Sequence, residues 1–361
     1  MSARLPSLDG WRAVSILLVL GAHCKEAYGF PSALAPLFIW LFDGDLGVRF
    51  FFIISGFLIT WLLLLEKERS GKVNLGHFYA RRALRILPVY FAFLGILALL
   101  QHFTPFHQPA SAWIGNITFT TNYAQGVTWA SGHLWSIAVE EQFYLAWPAI
   151  FLLANVSRIK PIFSKSLWVF AIPICIAPVV RVISYLHLWP HALQPLFTNY
   201  SFFKYMDSLA IGCACALVYS NRHAQLLHWL QPRFRLVPVC ALFFILTPLI
   251  LGRLFLMGIV TVPIGNSLQG LGIALLLLQS VLFPRFGFYG FLNTPALCQI
   301  GVLSYSIYIW QQIFCTNPET FGMSHVWWLS FPYWLLPVFV VSFVSFYGLE
   351  RPFFRLRAYY R

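Results

Sequence analysis

Residues 8–24 read LDGWRAVSILLVLGAHC. Arg12 and His23 bracket a run of aliphatic residues, and the reading of that run decides the fold. Eleven steps of a helix close about three turns with roughly 20° left over, so both side chains share one face. The same spacing separates them by about 16 Å along the axis, which places His23 well inside a bilayer if Arg12 sits at its edge. A charged group at that depth costs about 2.5–3.5 kcal/mol on insertion scales, so His23 is a functional candidate by default. A neutral imidazole is cheaper there, and neutrality is what a general base needs.

The whole chain shares the character of this stretch. Of its 361 residues 59% are hydrophobic, 18% aromatic and only 10% charged, too apolar for a water-soluble fold and without a polar block for a second, aqueous domain. Apolar runs long enough to span a bilayer occur near 12–29, 46–65, 86–103, 135–156, 167–186, 202–220, 237–252, 265–283, 299–316 and 331–349. The expected fold is therefore all-α: a polytopic membrane protein of about ten transmembrane helices in a single domain over 1–361, with no appended soluble domain. The first apolar run lacks a small-residue processing site and carries His23 and Lys25, so it reads as a span and not as a cleaved signal.

The net charge of +13 does not call for nucleic acid. With the N-terminus in the cytoplasm, most Lys and Arg fall on one side: Arg4 and Arg12, the 67–85 cluster, Arg158, Lys160 and Lys165, Arg222, Arg233 and Arg235, Arg285, and the C-terminal arginines through Arg361. The opposite-side segment 104–134 contains no Lys, Arg, Asp or Glu. This is the positive-inside pattern; it puts both termini in the cytoplasm and explains the basic pI without a polyanionic partner. The seven cysteines lie mostly in apolar runs, and Cys213 and Cys215 diverge by about 200° on a helix, so no metal set is expected.

Four blocks in order resemble the acyltransferase 3 family of integral membrane acyltransferases. They are LDGWRAVSILLVLGAHC, GDLGVRFFFIISGFLIT at 44–60, FYARRALRILPVY at 78–90 and HLWSIAVEEQFYLAWP at 133–148. Weaker echoes follow in YMDSLAIGCACAL at 205–217, LSYSIYIWQQ at 303–312 and GLERPFFRLR at 348–357. The resemblance implies transfer of an acyl group, commonly acetyl, from cytoplasmic acyl-CoA to a hydroxyl of a carbohydrate or glycosylated acceptor such as a cell-envelope polysaccharide. No permanently bound cofactor is implied; acetyl-CoA or another acyl-CoA is a substrate, and the expected home is a bacterial cytoplasmic membrane. It further implies that His23 is catalytic and that Arg12 and the RxxR pair, Arg82 and Arg85, handle the donor or organise the site. Two positions depart from the family pattern: Arg49 stands where an acidic residue is frequent, and Gln311 where histidine is. No functional role is carried over to either.

The residues support the same chemistry on their own terms. Acyl transfer to an alcohol needs a base, stabilisation of the developing oxyanion and a grip on the donor. His23 is the best-placed base. If 79–88 is helical, Arg81 and Arg82 each approach Arg85 on one face, a clamp for the phosphates of CoA. Helical spacing aligns His133, Ser136 and Glu140; Glu140 is expected to orient His23, balance its imidazolium or bond the acceptor hydroxyl, with Ser136 and His133 on the acceptor side. Asp9 is expected to cap the first helix or pair with Arg12, and Lys204 to pair with Asp207 three residues on. The rival from another class is a transporter or exporter of a glycolipid or glycan precursor, with Arg49, Arg181, Lys204 and Asp207 along its path.

Overall fold

The structure, a computed structural model, describes residues 5, 7–154, 156, 165–324 and 326–356. Arg4, Arg158, Lys160, Arg357 and Arg361 of the charge pattern lie outside the described residues, as does the Lys165 side chain. In chain order the helices are α1 (Leu8–His23), α2 (Ala35–Leu41), α3 (Gly44–Ser70), α4 (Leu75–Phe103), α5 (Ala110–Ile117), α6 (Trp129–Gly132), α7 (Leu134–Leu153), α8 (Lys165–Tyr185) and α9 (Phe202–Asn221). They continue as α10 (His223–Leu230), α11 (Leu236–Arg253), α12 (Gly258–Val260), α13 (Asn266–Leu282), α14 (Phe288–Leu292), α15 (Pro295–Phe314), α16 (Leu335–Ser345) and α17 (Arg351–Leu356).

Among the described residues, seven helical stretches are long and apolar enough to cross a membrane: Ser32–Ser70, Leu75–Phe103, Trp168–Tyr185, Phe202–Asn221, Leu236–Arg253, Gly258–Leu282 and Leu335–Leu356. The protein is an all-α polytopic membrane protein with about seven such helices. The other three expected spans coincide with α1, α7 and α15. α1 has only 16 residues, while Glu140, Glu141 and Gln142 in α7 and Gln299, Gln311 and Gln312 in α15 dilute their hydropathy. Of these helices α1 carries the candidates Arg12 and His23, and α7 carries Ser136 and Glu140.

The surface is inverted relative to a water-soluble protein. Leu99, Phe103, Leu145, Phe243, Val340 and Val344 are exposed on helix faces, while Arg49, Arg181, Asp207, Gln279, Gln311, Gln312 and Glu350 are buried. Lipid solvates the first set at no cost, whereas the second must find partners inside.

By its internal contacts the chain divides into two compact units, with boundaries that fall inside α1, α3, α7 and α15 and between α3 and α4. The first comprises Met1–Arg12, Arg49–Val73 and Val139–Cys298. Here α3 and α9 cross at glycines: a Cβ on Gly56 would overlap the Leu209 carbonyl, and one on Gly212 the Ile53 carbonyl. Small residues at such crossings let helix backbones touch, the main source of association where lipid removes the hydrophobic drive. The entry to α1 is docked in this unit. The Ser7 N–H donates to Asn293 Oδ1 (2.7 Å) and the Trp11 indole N–H to Ser280 Oγ (2.9 Å). The Ser7 carbonyl accepts the Trp11 backbone N–H (2.9 Å), so the chain enters the helix through Ser7. The expected Asp9 cap is therefore corrected: Asp9 lies inside the first turn, where its charge faces the positive end of the helix dipole.

The second unit comprises Ala13–Val48, Asn74–Ala138 and Gln299–Arg361. Its segment 104–134 is not an open loop: α5 and α6 fold within it, and the Tyr90 hydroxyl of α4 donates to the Asn116 carbonyl (2.7 Å). α4 runs unbroken from Leu75 to Phe103 through Pro88, so the RxxR segment is helical as its spacing predicts.

Candidate functional site

His23 is the last residue of α1 and is half-buried. Its Nδ1 lies 3.0 Å from Oε1 of Gln311 on α15. The His23 backbone carbonyl accepts from Cys315 Sγ at 3.0 Å, and the Cys315 carbonyl accepts the Trp129 indole N–H at 2.6 Å. The Trp129 ring stands nearly perpendicular to the imidazole, with centroids 5.2 Å apart. The imidazole is thus held by a carboxamide, a backbone tether and an indole wall. Gln311 is the partner that sequence reading missed, and it occupies the position where family pattern and sequence diverge.

α15 also collects the acceptor-side candidates. His133 is buried; its Nδ1 is 2.7 Å from Gln312 Oε1 and its Nε2 3.0 Å from the Ile309 carbonyl. Ser136 Oγ is 2.6 Å from the Tyr308 hydroxyl. Of the expected alignment of His133 with Ser136 and Glu140, one part needs correction: His133 precedes α7 by one residue and turns its ring onto α15. The signal that identifies these partners is in LSYSIYIWQQ. Ser304, Tyr308, Gln311 and Gln312 recur at i, i+4, i+7 and i+8, and all four are buried, a polar stripe facing inward on a membrane helix.

Arg82 and Arg85 sit three residues apart on α4, both half-buried, with the Arg82 guanidinium 5.9 Å from the Phe78 ring centroid. The Tyr305 hydroxyl donates to the Ile86 carbonyl at 2.9 Å, tying this turn of α4 to α15. Ser306, on the same helix, donates to the buried carboxylate of Glu350, a residue not singled out from sequence. An open depression of about 410 Å³ is lined by Tyr28, Asn317, Glu319 and Ser324, which follow α1 and α15 in the chain.

Two candidates belong to the other unit. Arg12 is half-buried in α1. Glu140 accepts from Ser55 Oγ through Oε1 (2.8 Å) and from the Tyr144 hydroxyl through Oε2 (2.9 Å). In the same unit Arg49 donates to Gln269, and Asp207 pairs with Arg181 instead of with Lys204. The expected i,i+3 pair is corrected for a simple reason. Arg181 also reaches the Lys204 and Pro263 carbonyls (2.8–3.0 Å), and its planar fork satisfies the buried carboxylate and two carbonyls at once. Ser267 completes the set with a 2.6 Å bond to Asp207.

The family comparison agrees with the ordered motifs. The family model of an acyltransferase domain, that of the acyltransferase 3 family, matches residues 5–351. The chain is 30% identical over 172 residues to the peptidoglycan O-acetyltransferase OatA of Listeria monocytogenes, covering 43% of this chain and 25% of that protein. It is 35% identical over 175 residues to the O-acetyltransferase OatA of Staphylococcus aureus, covering 44% and 26%. The chain thus spans about a quarter of the length of the curated relatives it matches. No solved structure matches it. With the match running from the entry of α1 to the start of α17, the chain belongs to the acyltransferase 3 family.

Proposed function

We propose that this protein is a membrane O-acyltransferase that moves an acyl group, acetyl by default, from cytoplasmic acyl-CoA to a hydroxyl of a carbohydrate or glycosylated acceptor such as a cell-envelope polysaccharide. The observation that carries this reading is His23, half-buried at the end of α1 with its ring fixed on α15, inside a chain that matches the acyltransferase domain over 5–351.

In this reading His23 takes the proton of the acceptor hydroxyl as its oxygen attacks the thioester carbonyl. The carbon–sulfur bond breaks, and the imidazolium returns the proton to the departing CoA thiolate. A positioned base of this kind contributes about 10²–10⁴ in rate. Arg82 and Arg85 hold the donor phosphates, where paired guanidinium forks exceed what point charges achieve. The acceptor reaches the His23 end of α1 from the side of the Tyr28–Asn317 depression, past Trp129. Ser136 and His133 shape the acceptor wall, their polar atoms turned to α15. Arg12 and Glu140 are proposed as the further catalytic groups, Glu140 with both carboxylate oxygens already met by hydroxyls. Ten spans in a single domain, both termini cytoplasmic and a bacterial cytoplasmic membrane complete the proposal.

The transport alternative rests on buried charges lining a path, and Arg181 and Asp207 neutralise each other where they stand. The test is CoA-thiol release from acetyl-CoA by protein purified into lipid, with a cell-envelope glycan extract, comparing wild type with His23→Ala. Acceptor-dependent release that vanishes in the variant is expected. Equal release by both, with His23→Ala shown to be folded, overturns the assignment.

A further inference from the structure

We infer that Gln311 is the positioning residue of this reaction: its side-chain carbonyl holds His23 as the Nδ1–H tautomer and thereby leaves the Nε2 lone pair to act as base. The inference rests on the proposed role of His23. A carbonyl oxygen only accepts hydrogen bonds, so the ring nitrogen 3.0 Å from Gln311 Oε1 carries the proton. A neutral imidazole has one N–H, and Nε2 is then bare.

The glutamine is not explained as a cross-link between helices. Its side chain is fully buried, and its amide nitrogen makes no hydrogen bond among the described residues, so the side chain spends its one hydrogen bond there on His23. Leaving a buried donor unsatisfied costs about 1–3 kcal/mol. A residue selected for packing alone would shed that cost as leucine. The neighbouring Gln312 makes the contrast, since its Oε1 accepts the His133 backbone N–H (3.1 Å) and also lies 2.7 Å from the His133 ring Nδ1.

Gln311 also supplies orientation without charge. A carboxylate there would stabilise the imidazolium and oppose return of the proton to the leaving thiolate, whereas a carboxamide holds the ring and leaves its protonation free to cycle. Among the described residues, the other titratable groups that interact with the ring are Lys25, exposed and 3.9 Å from Glu26, and His133, while Cys315 bonds the His23 backbone carbonyl. None of them supplies the acceptor that faces Nδ1.

The test combines nitrogen NMR of the His23 ring in lipid with initial rates of CoA release from acetyl-CoA, plus glycan extract, as a function of pH. Wild-type protein should show the proton on Nδ1; a proton on Nε2 overturns the inference without reference to activity. Gln311→Leu should lower kcat about 10–100-fold, with both KM values near wild type and a thermal midpoint no lower than wild type. Gln311→Glu should restore much of kcat while moving the acid limb of kcat/KM to higher pH, since a carboxylate favours the protonated ring. If His23→Ala is inactive and both Gln311 variants keep the wild-type kcat and acid limb, the positioning role is wrong and the base role stands. If His23→Ala is active, the base role itself is wrong and the inference goes with it.

Discussion

Ser55 on α3 and Glu140 on α7 are joined by a 2.8 Å hydrogen bond between residues 85 positions apart in sequence. Tyr144, one turn beyond Glu140, lies 2.9 Å from both Ser55 Oγ and Glu140 Oε2, so the three side chains close a ring. Each carboxylate oxygen meets a hydroxyl, and the carboxylate is aimed by two neighbours on different helices. Hydrogen bonds to a charged group are worth about 1.5–3 kcal/mol, or roughly 10–100-fold. Ser55→Ala and Tyr144→Phe should therefore each lower kcat within that range, and the double variant should fall short of the product of the two. Steady-state rates on the four proteins of the cycle decide it; strictly multiplicative losses would mean that the two hydroxyls act independently.

The α3–α9 crossing gives a prediction about stability alone. A Cβ at Gly56 or Gly212 would overlap a facing backbone carbonyl, which cannot rotate away. Overpacking of this sort costs about 1–3 kcal/mol, so Gly56→Ala and Gly212→Ala should lower the thermal midpoint in detergent. Gly95 is the control. It lies in the interior of α4, and a Cβ added there would meet nothing within 4 Å, so Gly95→Ala should be neutral or gain up to about 1 kcal/mol in helix propensity. Equal midpoints for all three would show that the crossing relaxes.

The buried Arg181–Asp207 pair should behave asymmetrically. Removing one partner leaves a charge in a low-dielectric interior, a loss of about 3–5 kcal/mol, whereas replacing both with apolar residues of similar volume is often nearly neutral. Asp207→Asn is expected to reduce folded yield and the thermal midpoint sharply. Arg181→Met combined with Asp207→Leu should recover most of both. A double variant no better than Asp207→Asn would assign the cluster a role beyond self-neutralisation, and substrate movement across vesicles would be the next assay.

The sequence predicts helices far better than it predicts partners, and the reason is physical. The run 202–220 matches α9 at Phe202–Asn221 within a residue, because hydropathy is a property of each segment by itself. The RxxR stretch is helical for the same reason. The partner of His23, by contrast, lies 288 positions away. Gln311 reads in isolation as a departure from a family pattern, and only the pairing of α1 with α15 turns it into an orienting group. Lys204 and Asp207 show the converse error. Local spacing favours that pair, but tertiary geometry offers Asp207 a guanidinium from another helix. Polar partners in α7 and α15 also lower the very hydropathy by which spans are recognised.

The donor side yields the prediction with the most direct readout. Arg82 and Arg85 project from one stretch of α4 that is fixed to α15 by the Tyr305–Ile86 hydrogen bond, so the helix backbone beneath them is anchored whatever the side chains do. Charge-assisted hydrogen bonds contribute about 1.5–3 kcal/mol each, or roughly 10–100-fold in affinity. Arg82→Ala and Arg85→Ala should accordingly raise the KM for acetyl-CoA by that factor and leave the acceptor KM unchanged. Lysine at either position should recover only part of the loss, because an ammonium supplies charge but not the fork. The contribution should also weaken as salt rises if the phosphates are met at a solvent-accessible face. A rise in acceptor KM with an unchanged donor KM would instead place the RxxR arginines on the glycan.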